Sequence, residues 1–101
     1  MLSNPESESL LLSSFLRFPQ KVGALCVESN LSSEAFSSQE NSQLYRFLLG
    51  VWSQGIQIEP YLIALEIKKS GLLSIIGGAE RLQALAVLSP SAEVAANLIF
   101  E

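Results

Sequence analysis

Several groups of residues have types and spacings that could do chemistry. Glu6 and Glu8 place two carboxylates in what reads as a first helical turn. There they could share general acid and base work, or oppose the positive end of the helix dipole. The dipole reading needs no further residue and is preferred. Gly77 and Gly78 precede a helix start, where free amides can hold an anion, but no lysine follows them, so a turn needing positive φ is the better account. Cys26 lies on an apolar stripe with no basic neighbour closer in sequence than Lys21, which describes a buried, inert thiol. Tyr45, Phe47, Trp52 and Tyr61 could stack on bases beside arginines, yet only Arg46 is near, and core packing is preferred. Lys68, Lys69 and Arg81 make a small basic patch of the kind that is usually a solvated face.

Composition narrows the classes further. With no histidine, the chain lacks the commonest general base and metal ligand, so a zinc site or hydrolase triad is not expected. A single cysteine cannot form an internal disulfide. Six basic residues against ten acidic ones give a net charge of −4, the wrong sign for tight autonomous binding to a phosphate backbone. The stretch from Met1 to Ser9 carries two glutamates and no basic residue, unlike a secretory signal, and no apolar run approaches the roughly 20 residues that span a bilayer. A cytoplasmic protein without membrane attachment is expected. Length, 101 residues, suits one domain over 1–101, and 49% apolar residues can fill its core. Only 16% of residues are charged, which leaves apolar surface for a partner.

The elements that must position these residues are helices. Asn4, Pro5, Glu6 and Glu8 read as an N-cap, a first-position proline and first-turn acids, opening a helix from about Pro5 to Arg17 with Leu11, Leu12, Phe15 and Leu16 inward. Pro19 restarts a short second helix, with Val22, Leu25 and Cys26 inward, that ends near Ser29 and Asn30. A loop or single turn spans Leu31 to Ser38. Ser37 to Glu40 has capping-box spacing before a third helix carrying Leu44, Tyr45, Leu48 and Trp52. Phe47 and Val51 widen that stripe, so this helix is expected in the middle of the bundle, ended by Gly55. An extended connector, Ile56 to Glu59, leads to a fourth helix opened by Pro60 and closed by Gly71. Its expected core face is Leu62 and Leu65 with Ile63 or Ile67. Leu72 to Ile76 reads as a loop packed on the bundle, since a lone strand has nothing to pair with. After the Gly77–Gly78 turn, a fifth helix spans Ala79 to Leu88 with Leu82, Leu85 and Ala86 inward.

Ser89 and Pro90 start a sixth helix that shows no stop signal before Glu101, so the polypeptide is expected to continue. Val94, Leu98 and Ile99 form an apolar seam on it that nothing later in the sequence covers. They are read as partner contacts, together with Glu80 and Arg81 on the fifth helix. The fold class is therefore all-α, a compact bundle of about six short helices, the last of them without a stop signal.

The ordered set of features resembles the N-terminal domain of DnaB-type bacterial replicative helicases. The acidic, leucine-rich start from Glu6 to Leu12 comes first, then Leu31 to Phe36 and the aromatic helix Leu44 to Trp52. Gly55, Ile58, Glu59, Gly71, Leu73, Gly77, Gly78, Leu82, Leu85, Pro90 and Ser91 complete it in order and spacing. Each is only a cap, a turn or an apolar stripe; it is their order over roughly 95 residues that is specific. The chain departs from the family pattern at Asn41, usually histidine, at Glu59, usually aspartate, and at Arg81, usually tyrosine.

The resemblance implies a non-catalytic interaction domain whose last helix runs into a helical hairpin outside the sequence, one that supports assembly of a hexameric collar and docks primase or a helicase loader during DNA replication. It implies a homo-oligomeric parent whose ATP and Mg sites lie in a separate ATPase domain. No phosphate-binding loop occurs in this segment, no cofactor is expected in it, and no catalytic residue can be named. Two other readings start from different classes: a stand-alone helical adaptor resembling a helicase loader, and a single-stranded-DNA-binding module using Lys68, Lys69 and Arg81.

Overall fold

The computed structural model describes residues 4–55, 60–88 and 97–99, with the side chains at 60, 61, 64, 79 and 86–88 set aside. Among them are α1 (Pro5–Arg17), α2 (Pro19–Glu28), a 3-10 turn (Ser33–Ala35), α3 (Gln39–Ser53), α4 (Pro60–Ser70) and α5 (Gly78–Leu88), with no strand. Residues 97–99 are also helical. The expected all-α class holds. The connector Ile56 to Glu59 and the start of the sixth helix, Val94 included, lie outside the described residues.

Local chemistry accounts for most helix ends. Asn4 Oδ1 accepts a 2.8 Å hydrogen bond from Ser7 N, and Pro5 follows at the first helical position. At the end of α2, Asn30 turns to φ 55°, Leu31 N donates to Cys26 O and Asn30 N to Val27 O. This paired pattern is a Schellman motif, here closed by asparagine where glycine is commoner. The end of α4 repeats it with Gly71 at φ 78°: Leu72 N donates to Ile67 O and Gly71 N to Lys68 O. Gly77 and Gly78, at φ 101° and 86°, form the expected turn into α5.

The bundle is organised around α1. Its residues 11–16 are all buried, and it packs on α2, α3 and α5. Continuous burial of that kind requires neighbours on all sides. The sequence reading puts α3 in this central place. In the structure α3 buries Asn41, Leu44, Tyr45 and Leu48, while Phe47, Val51 and Trp52 are half-buried against the core. The wide stripe on α3 reflects one buried face with aromatic flanks. Tyr45 joins three elements. Its ring meets Phe15 edge-on at 6.4 Å and stacks on Phe36 at 4.7 Å, and its hydroxyl donates to Leu31 O at 2.6 Å.

The core face of α4 is a second correction. Ile63 and Ile67 are buried, whereas Leu62 and Leu65 are 45% and 40% exposed. Two apolar stripes on opposite sides of one helix are equivalent by periodicity, and packing chooses between them. Here Ile63 and Ile67 face the core, and Leu72, whose N–H closes the Schellman turn on Ile67 O, packs against the same core.

Candidate interaction site

Glu8 is the most unexpected side chain in the fold. It is completely buried, although it sits only one turn into α1. Its position, three residues before Leu11 and four before Leu12, is in register with the apolar stripe and carries it inward. Four hydrogen bonds meet it. Oε2 accepts from Ser37 N and Ser37 Oγ, both at 2.7 Å, and Oε1 accepts from Ser38 N at 3.2 Å and Asn41 Nδ2 at 3.0 Å. Burial pushes the carboxyl pKa up, but the bonds from Asn41, Ser37 and Ser38 favour the charged form and together hold it below its ordinary value.

The network continues through Asn41 to Arg81. Asn41 is also fully buried, and its Oδ1 accepts from Arg81 Nη2. Arg81 further donates to Ile76 O at 3.2 Å and Ser9 Oγ at 3.3 Å, and its Nη1 lies 3.6 Å from Glu40 Oε2. The chain Glu8–Asn41–Arg81 therefore ties α1, the start of α3 and the start of α5. Ser13 Oγ, donating to Leu85 O, adds a second polar link between α1 and α5.

The helix start differs from the capping box expected at Ser37 and Glu40. The N-cap is Ser38, whose hydroxyl accepts from Asn41 N at 3.4 Å. Ser37 is drawn to Glu8, and Glu40 turns to Arg81. Glu6 is exposed while Glu8 is buried, so the two carboxylates do not share a surface site. Sequence reading took Glu8 as a dipole acid and missed its bridging role. The legible signal was register, since Glu8 and Asn41 each stand at the first position of an i, i+3, i+4, i+7 core stripe.

The remaining candidates divide between core and surface. Cys26 is buried and its thiol pKa is pushed up by burial to about 11, in keeping with an inert cysteine. Tyr45, Phe47 and Trp52 all belong to the core or pack on it. The Tyr61 side chain lies outside the described residues. Lys68 and Lys69 are exposed on α4, where Lys69 approaches Glu66 at 3.8 Å, while the Arg81 guanidinium is committed to the network above. Of the residues read as partner contacts, Glu80 is exposed, Leu98 and Ile99 are half-buried against the core, and Val94 lies outside the described residues. Among the described residues no cluster of His, Cys, Asp or Glu could hold a metal ion, and no helix is long and apolar enough to cross a membrane.

Two apolar features remain on the surface. One is the outer face of α4, with Leu62 and Leu65 a turn apart. The other is an open groove of about 440 Å³ beside α2 and α3, floored by Val27, Leu31 and Leu49, with Arg46, Gly50, Tyr45 and three serines completing its lining.

An all-α fold built round a buried polar bridge, with leucines left facing solvent, defines the class to which the chain can be compared. It matches the family model of the DnaB-like helicase N-terminal domain over residues 1–99 and belongs to that family. Searches of curated proteins and of solved structures give no match.

Proposed function

We propose that this chain is a non-catalytic protein-interaction domain of a replicative DNA helicase, supporting assembly of the hexamer collar and docking primase or a helicase loader during DNA replication. The observation that carries the reading is the family match, which extends over nearly the entire sequence. Its mechanism is association of pre-folded helices through apolar faces. The exposed Leu62 and Leu65, together with a charged content of 16%, support such a surface. Val94, Leu98, Ile99 and Glu80 are the proposed contacts with neighbouring copies. Arg81, also read as a contact, would act from the base of α5, holding the helix that presents Glu80. In this reading the domain is cytoplasmic, carries no cofactor, and leaves ATP and Mg to the ATPase domain of the parent helicase.

Molar mass by light scattering across concentration, for this chain and for one extended past Glu101, tests the proposal. Assembly of the short form places the contact on this domain, and assembly of the extended form alone assigns it to the added chain. A monomer in both would overturn the collar reading in favour of a stand-alone helical adaptor.

A further inference from the structure

The groove beside α2 and α3 has features that the association reading above does not use. Its floor, Val27, Leu31 and Leu49, is apolar, and Val27 is 51% exposed at its edge. Gly50 faces open space: a Cβ placed there would meet nothing within 4 Å, so the α3 backbone is accessible to a close neighbour. Among the described residues Arg46 is the single charged one lining the groove, and no acidic side chain among them lines it. Among the described residues Arg46 has no ion-pair partner, in contrast to Arg81 and Lys69. A volume of about 440 Å³ accepts a few side chains of an element lying across it.

From this juxtaposition we infer that the groove docks an amphipathic helix of a partner protein, seating its apolar side chains on Val27, Leu31 and Leu49 and a flanking carboxylate on Arg46. The occupant's chemistry follows from the lining. Apolar floor selects apolar side chains, the missing Cβ of Gly50 permits helix backbones to approach closely, and the unpaired guanidinium selects a carboxylate, to which it can bond through two nitrogens.

The test uses the full 101-residue chain and a capped, alanine-rich helical peptide of about 15 residues, long enough to hold helix. The peptide carries two leucines one turn apart and two flanking glutamates; a control has lysines for the glutamates. Binding is followed by amide chemical shifts. The glutamate peptide should shift the Val27, Leu31 and Leu49 amides and the lysine peptide should not. Arg46→Glu should weaken the glutamate peptide about tenfold or more and confer binding of the lysine peptide. Gly50→Leu, which fills open space in a helix, should block the glutamate peptide while leaving the fold unchanged by circular dichroism. Absence of binding at millimolar peptide, or binding indifferent to both substitutions, would overturn the inference. Neither result bears on molar mass, so the collar reading stands or falls separately.

Discussion

Asn41 Nδ2 donates a 3.0 Å hydrogen bond to Glu8 Oε1 inside the bundle, and the same amide accepts from Arg81 through its oxygen. A neutral side chain thereby relays a buried carboxylate to a half-buried guanidinium, and both ends of the amide are satisfied. Asn41 and Arg81, 40 residues apart in the chain, meet in space.

Glu8→Gln should destabilise the fold by about 1 to 3 kcal/mol, because an amide turns one acceptor oxygen into a donor facing the donors of Ser37, Ser38 and Asn41. The pH dependence has a definite sign. The folded carboxyl titrates below its ordinary 4.5, so its contribution is complete above that pH and is lost as pH falls through the lower folded value. Thermal melts of wild type and E8Q should differ most at neutral pH and converge in acid.

Asn41→His and Arg81→Tyr should each destabilise alone, the first by removing the acceptor for Arg81 and the second by leaving Asn41 Oδ1 unpaired. Together they should cost less than their sum, with a coupling of about 0.5 to 3 kcal/mol. A double-mutant cycle by urea unfolding measures it, and simple additivity would contradict the coupling.

Gly23→Ala opposes two effects of different size. Helix propensity favours alanine by about 0.5 to 1 kcal/mol. A Cβ at residue 23, however, would lie 2.5 Å from Trp52 Cε2, and the indole is half-buried against the core. Overpacking of this kind costs about 1 to 3 kcal/mol, so a lower Tm is expected. Combining the change with Trp52→Leu should recover part of the loss.

Ile67→Ala should cost about 2 to 5 kcal/mol, and Leu65→Ala about 0.5 or less, since only the first side chain is buried. Urea midpoints decide the matter. The reverse ranking would restore the leucine face to the core.

Cys26 should resist alkylation at neutral pH in the folded protein and react readily in urea. Its folded pKa of about 11 exceeds the ordinary 9.0, so its contribution to stability is complete below pH 9 and is lost as pH rises toward 11. Tyr45, whose pKa is also raised by burial, adds to that alkaline loss. Unfolding midpoints measured from pH 8 to 11 should fall across this window.

What the sequence alone determined here is what depends on near neighbours along the chain. Asn4 with Pro5, Pro19, and Gly55, Gly71, Gly77 and Gly78 set helix ends because capping, the fixed φ of proline and positive φ are properties of one or two residues. The stripes Leu11–Leu12–Phe15 and Leu44–Tyr45–Leu48 were equally readable, because a single apolar face leaves one way to turn the helix. Tertiary structure decided the cases in which local chemistry was balanced. α4 carries apolar residues on two sides, and packing against the bundle chose the side of Ile63 and Ile67. Ser37 could have capped α3, but its N–H and hydroxyl both point to a carboxylate 29 residues earlier in the chain, and Ser38 is the cap. Glu8 itself could face water or the core. It is buried because Ser37, Ser38 and Asn41 arrive together to replace its hydration, and an ion can leave water only where folding assembles that many donors around it.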